Sequence, residues 1–258
     1  VEKKKRRWPK VVGWLAGVTG ILAVSGTLWW QNQLNVLRHL KVPQERVATV
    51  FIPGYNSNSW TFSPMIQRFD RYGIATDAMT IQVASNGRLT VTQKARLNQR
   101  NPLINIIFAD ARNPEKQIGQ LDTIMTRLYQ DYGIHQVNLV GHSMGGFLAF
   151  RYLTHRQAGK QPAVKRFVNI ASGGARDDSE FADTPRDLQV LAIGGDIWNM
   201  NSDWQVSLAS VQHFVRQVKP LAASAKLSVI HGSPLTAYHS ALHQNPIVDQ
   251  QIARFLFR

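Results

Sequence analysis

The chain has 258 residues, 44% of them hydrophobic, enough to bury the core of one sizeable α/β domain. It contains no cysteine, which excludes a disulfide framework, a thiolate metal site and a cysteine nucleophile. Its formal charge is +14, dividing as six Lys/Arg against Glu2 in the first ten residues and 24 against 15 beyond; with no nucleic-acid-binding motif alongside it, this balance suits an anionic membrane or cell-wall polymer.

Lys3-Lys4-Lys5-Arg6-Arg7 precedes Val11 to Trp30, twenty residues without a charge. A helix of that length, rising 1.5 Å per residue, matches the roughly 30 Å hydrocarbon core of a bilayer. Trp8 and Trp14 at one end and Trp29 and Trp30 at the other suit the two interfacial belts, and the basic cluster should stay cytoplasmic. The segment reads as a transmembrane signal-anchor that places the following domain outside the cell. Cleavage near Ala23-Val24-Ser25, giving a secreted protein, is the alternative. The expected organisation is a basic cytoplasmic segment (1–10), an anchor (11–30), a polar linker containing Pro43 (31–45) and a globular domain (46–258).

Within that domain, Val47 to Ile52 is a short β-branched run stopped by Pro53-Gly54, and a helix is expected from Asn58-Ser59 to about Arg71. Residues 75–83 and 89–92, joined by Ser85-Asn86-Gly87-Arg88, read as a hairpin. Residues 105–109 form another strand, and 115–132 carries apolar residues at 118, 121, 124, 125 and 128, which is helical spacing. A strand at 137–140 leads into a helix ending near Thr154. Strands at 166–171 and 188–193, a helix at 206–218, a strand at 226–230 and a closing helix at 246–257 complete the pattern. Alternating strands and helices imply a mostly parallel sheet covered on both faces, with functional groups beyond the carboxyl ends of its strands.

The chemistry-bearing stretch is Gly141-His142-Ser143-Met144-Gly145, a G-x-S-x-G between strand and helix. In that setting the serine sits on a strained turn with its hydroxyl exposed, and the flanking glycines remove side chains that would collide with neighbouring elements. Ser143 is therefore the candidate nucleophile. A serine needs a base, and the base needs an orienting acid; in this arrangement they follow the serine in the order acid, then histidine. Of eight histidines, His239 lies in the loop after the last strand, where an imidazole reaches the carboxyl edge of the sheet; His243, a helical turn later, is expected to pack or cap. Asp196 and Asp203 both follow the strand at 188–193, and the pattern alone leaves either as the acid. The oxyanion donors expected are the backbone N–H of Met144, next to the nucleophile, and of Tyr55, after Gly54. Trp60, Phe62, Trp198 and Trp204 flank these loops as candidates for a substrate pocket. Residues 172–186 leave room for a small flap only. Neither a metal nor a cofactor is called for.

Gly-His-Ser-Met-Gly-Gly at 141–146, Asn-Ser-Asp at 201–203, Tyr-His-Ser-Ala-Leu-His-Gln-Asn at 238–245 and Asn-Pro-Leu-Ile-Asn-Ile-Ile-Phe at 101–108 resemble the cell-surface α/β-hydrolases of Gram-positive bacteria, a poorly characterised family. The resemblance covers roughly residues 46–258. It implies an eight-stranded α/β-hydrolase core and a triad of Ser143, Asp203 and His239, the acid being chosen because Ser202-Asp203-x-x-Val206 resembles a family segment. The chain departs from the family pattern at Pro53-Gly54, where His-Gly is usual, and at Trp204 and Ser207, where Gly and Pro are usual.

The expected activity is hydrolysis of a carboxylic ester, from a small acyl-ester or lipid-like substrate, through an acyl-enzyme at the outer face of the membrane. Two alternatives use the same fold. One is a degenerate, catalytically silent module that binds anionic envelope polymers; the other is a peptidase or acyltransferase with the same triad.

Overall fold

Runs of Val, Ile and Phe that are buried from end to end build the centre of an eight-stranded sheet, seen in a computed structural model that describes residues 8–258. The basic cluster Lys3–Arg7 lies outside the described residues. In chain order the first elements are α1 (Trp8–Arg38), β1 (Ala48–Ile52), α2 (Ser63–Arg71), β2 (Thr76–Val83), β3 (Leu89–Gln93) and β4 (Pro102–Phe108). They are followed by α3 (Pro114–Gln130), β5 (Gln136–His142), α4 (Met144–His155), β6 (Ala163–Ile170) and β7 (Gln189–Ile197). The chain closes with α5 (Leu208–Val218), β8 (Ser224–Gly232), the short turns α6 (Pro234–Ala237) and α7 (His239–Leu242), and α8 (Pro246–Leu256).

The strand order is β3-β2-β4-β1-β5-β6-β7-β8. Every pairing is parallel except the β2–β3 hairpin, as the turn residues 84–88 predict. β1 lies between β4 and β5, so the loop after it and the turn after β5 emerge side by side at the carboxyl edge. One apolar cluster fills the face covered by α3, α4 and α5, and a second fills the face covered by α1, α2 and α8. Each fully buried Phe, Leu or Ile contributes about 1.5–3 kcal/mol relative to exposure, which sets the sheet as the rigid base of the loops. Residues 172–186 form a loop and a 3₁₀ turn (Asp178–Asp183) whose Phe181 packs on Phe150 and Phe214, so no large lid is present among the described residues.

Two expectations change at the amino terminus. Residues 31–45 are not a free linker: α1 continues to Arg38, buries Leu34 and Leu37, and is tied to α8 by Gln250 Nε2 donating to the Val36 carbonyl at 3.0 Å. The cause is an apolar stripe, Leu34, Val36, Leu37 and Leu40, that the polar residues around it conceal. Among the described residues no helix is long and apolar enough to cross a membrane. Thr19, Gly20, Ser25, Gly26 and Thr27 dilute the apolar residues of the expected span, whose side chains Trp14, Leu15, Ile21, Leu22 and Leu28 nevertheless stand exposed.

Candidate active site

The turn after β5 has the geometry a nucleophile elbow needs. Ser143 adopts φ 55 and ψ −125, a left-handed conformation that a non-glycine residue holds at a cost of order 1–3 kcal/mol. Its N–H donates to the Ile170 carbonyl at 2.9 Å and its own carbonyl accepts from Gly146 N at 2.9 Å, which fixes the turn from both sides. Only glycine fits at 145: a Cβ there would lie on the Ile52 carbonyl oxygen and 2.7 Å from that of Pro53.

Asp203 and His239 come together under the carboxyl ends of β7 and β8. His239 Nδ1 donates to Asp203 Oδ2 at 2.7 Å, and both side chains are buried, at 4% and 1% exposure. The other carboxylate oxygen, Oδ1, accepts from Gln205 N at 2.8 Å and Val206 N at 2.6 Å, so the acid cannot rotate away. The His239 N–H reaches the Asp203 carbonyl at 3.2 Å. The histidine loop is pinned at both ends. Ser233 and Thr236 form a reciprocal capping box on α6, and Asn245 Nδ2 donates to the Thr236 carbonyl at 2.9 Å. With Nδ1–H engaged, Nε2 of His239 is the nitrogen left to serve as base. His239 lines the cavity of about 500 Å³ onto which Ser143 also opens.

Asp196 has a different task. β7 runs on through Gly194-Gly195-Asp196 to Ile197, beyond the strand expected from the sequence. Asp196 therefore sits in the ladder opposite His231, with Oδ2 3.0 Å from His231 Nδ1 and Oδ1 accepting from Asn201 N at 2.8 Å. The glycine before it matters: a Cβ on Gly195 would meet the Ala237 carbonyl oxygen and lie 2.9 Å from Asp203 Cβ. Its absence lets the acid loop and the histidine loop close over the strand end.

Tyr55 lines the same cavity as Ser143, and Met144 heads α4. Among the described residues neither backbone N–H donates to another protein group. Of the four aromatic candidates only Trp60 lines the cavity. Phe62 is buried against Phe51, with ring centroids 5.2 Å apart, and belongs to the core, because α2 starts at Ser63 and turns the preceding residue inward. Trp198 and Trp204 stand outside the cavity in an exposed aromatic row that continues to Tyr238. Sequence reasoning missed Asn58, Gln205 and Gln244, which give the cavity a polar, uncharged lining.

Behind His239 lies a nest of imidazoles. His142 is buried, its Nε2 donates to the His239 carbonyl at 3.0 Å, and its ring lies 4.5 Å from that of His239 and 4.7 Å from that of His243. Burial, then the neighbouring His243 and His239, pushes the His142 pKa well below the usual range. Burial, then His239 and Arg68, lowers His243 to about 4. Both rings are neutral at pH 7. Arg68 itself is clamped by Asp249, at 2.5 and 3.1 Å, and stacks 6.0 Å from Trp30 of α1.

An eight-stranded, mostly parallel sheet with a strained serine after a central strand and a buried Asp–His pair at the same edge defines an α/β-hydrolase. The chain belongs to the family of α/β hydrolases of unknown function known as DUF915, whose model matches residues 38–175 and 175–258. The gene lin2722 product of Listeria innocua has a similar structure, with a TM-score of 0.75 at 22% identity over 82% of this chain and 94% of that one. So does a protein of Lactobacillus plantarum WCFS1 provisionally assigned as a cell surface hydrolase, at 0.66 and 20% over 80% and 88%. The Pyrococcus furiosus esterase Pf2001 shares the fold more distantly, at 0.51 and 12% over 84% and 90%. No curated protein matches the sequence.

Proposed function

We propose that the chain is a serine hydrolase that cleaves carboxylic esters through an acyl-enzyme on Ser143. The observation that carries this is the 2.7 Å contact between buried His239 and Asp203, opening on the cavity that holds the strained serine. Ser143 Oγ attacks the ester carbonyl as His239 Nε2 takes its proton, and Asp203 stabilises the imidazolium so formed. The negative charge on the tetrahedral oxygen falls to the N–H groups of Tyr55 and Met144. His239 returns the proton to the leaving alcohol. A water, deprotonated by the same nitrogen, then frees the acid and restores the serine. We place the reaction at a membrane surface, with residues 11–30 as the attachment. The uncharged stretch, its exposed apolar side chains and the basic flank support that attachment.

The test uses the full chain. A fluorophosphonate probe should label wild type and leave Ser143→Ala unlabelled, and hydrolysis of p-nitrophenyl acetate should fall by at least a hundredfold in the variant. Unchanged hydrolysis by Ser143→Ala removes the proposal, and binding of wall polymer by a protein the probe does not label favours the catalytically silent module.

A further inference from the structure

The large apolar residues left exposed outside α1 are unevenly placed. Leu227 aside, they sit on loops at the carboxyl edge of the sheet or at the start of α8: Tyr55, Trp60, Trp198, Met200, Trp204, Leu235 and Ile247. The three loops that frame the mouth, 53–62, 198–207 and 232–246, contain a single Asp, Glu, Lys or Arg, namely Asp203, which is buried on His239. Elsewhere charge is plentiful, at 18% of the whole chain. These three charge-free loops expose Trp60 and Leu235 at 75% and 78%, a surface suited to an apolar partner, while Arg112, bonded to Asn56, and Arg176 bring charge to the same edge from the loops after β4 and β6. The backbone even adopts left-handed geometry at Trp198 and Trp204, with φ 52 and 73, while leaving both rings in solvent.

α1 points to the partner. α8 starts at Pro246, just after the cavity residues His243 and Gln244, and descends to the opposite edge, where Arg166 takes the carbonyl oxygens of Leu256 and Arg258. α1 descends beside it: Val36 lies on Gln250, Leu40 and Lys41 lie beside Arg254, and Glu45 ends on the same Arg166. The earlier residues of α1 therefore stand beyond the start of α8, on the side where Ser143 opens. Residues 12–29 make roughly 27 Å of helix at 1.5 Å per residue. Its exposed Trp14, Leu15, Ile21, Leu22 and Leu28 share that side of the molecule with the three charge-free loops.

We propose that the active-site mouth faces the bilayer: the apolar half of α1 enters an anionic membrane and sets the rim on its surface, so the ester cleaved is carried by a membrane amphiphile. This substrate class rests on the ester chemistry assigned to Ser143 above; the orientation does not. Tryptophan suits the interfacial zone of a bilayer, and the basic chain suits anionic headgroups. Met200 and Leu235 argue against a glycan, since an aliphatic side chain offers a sugar neither a stacking ring nor a hydrogen bond. Ser143 also borders a second depression of about 450 Å³, where Met144, Phe147, Ala175 and Val206 offer an acyl chain apolar contact and Ser172, Ser210 and Arg176 supply polar groups.

The absence of cysteine allows a direct test on the full chain. An environment-sensitive fluorophore is attached at Leu235→Cys on the rim or at Lys160→Cys in the exposed loop at the opposite edge, and the protein is reconstituted in equimolar phosphatidylglycerol–phosphatidylcholine vesicles. The label at 235 should shift to the blue relative to detergent solution and that at 160 should not. No shift at 235, or a shift at 160 alone, overturns the orientation. In parallel, Met200→Glu/Leu235→Glu should hydrolyse p-nitrophenyl acetate within twofold of wild type, yet cleave a fluorogenic acylglycerol in the vesicles at least tenfold more slowly. Equal rates on the vesicle ester, or faster wild-type cleavage of an acetylated polysaccharide than of that ester, overturn the substrate class. A blue shift at 235 in a protein that cleaves neither ester upholds the orientation and refutes the chemistry at Ser143.

Discussion

His243 should make the protein sensitive to mild acid. Its ring is 7% exposed, wedged between Phe62, 6.0 Å away, and His142, 4.7 Å away. Burial and the charges of His239 and Arg68 hold its pKa at about 4, whereas a histidine in the unfolded chain titrates near 6.5. Between those values the unfolded state binds a proton that the folded state refuses, so stability is complete above pH 6.5 and declines as pH falls toward 4. At 1.36 kcal/mol per pKa unit the full loss is about 3 kcal/mol, of which about 2 kcal/mol is spent by pH 5. His142 is shifted in the same direction, partly by His243, and adds to the decline. His243→Phe keeps an aromatic ring in the site without the titration. Urea unfolding at pH 7.5 and pH 5.0 should show wild type losing about 2 kcal/mol more than the variant over that interval, the carboxylates being common to both. Parallel pH dependences for the two proteins, or a wild type that gains stability on acidification, would refute the reasoning.

Two further outcomes separate roles that look alike in sequence. Asp203→Asn should lower kcat on p-nitrophenyl acetate by roughly 10³–10⁴-fold, because the imidazole loses its orienting carboxylate, while Asp196→Asn, a ladder residue, should stay within about threefold; a reversed ranking would move the acid to Asp196. Asp249→Ala leaves the Arg68 guanidinium buried without its carboxylate and should cost about 3–5 kcal/mol in urea unfolding, with Arg68→Met/Asp249→Leu recovering most of the loss; a cost under about 1 kcal/mol for the single variant would show that water already reaches the pair.

What the sequence disclosed follows how local each feature is. The elbow is legible because strand, strained serine and helix are contiguous and the glycines mark where neighbours press. The hairpin at 84–88 and the sheet class are legible for the same reason. The acid is not: Asp196 and Asp203 are separated only by how far β7 runs and by the closure that Gly195 permits, and neither is written in a local pattern. The sidedness of Trp60 and Phe62 is equally hidden, since a turn at 58–61, not composition, sends one ring to the cavity and the other to Phe51. The stripe Leu34, Leu37, Leu40 was visible in principle, because its three-residue spacing outlasts the polar residues that suggest a linker. His142 gave no signal beyond its place in the motif. Its task, holding the His239 carbonyl from behind, exists only in the folded chain.

The clamp at the lower edge of the sheet determines where the molecule can be shortened. Arg166, 5% exposed, bonds Glu45 and the carbonyls of Leu256 and Arg258, while Asn101 holds the Glu45 N–H at 2.7 Å. A chain begun at residue 46 would strip Glu45 from this buried guanidinium and uncover the surface on α8 that Leu34 and Leu37 protect. Silence from such a fragment would report damage to its foundation and convey nothing about the serine at the far edge. Beginning at Gln31 keeps Leu34, Leu37 and Glu45 and gives up the Trp30 ring that lies over Arg68 and against the second apolar cluster, which makes that position the natural boundary for a shortened chain.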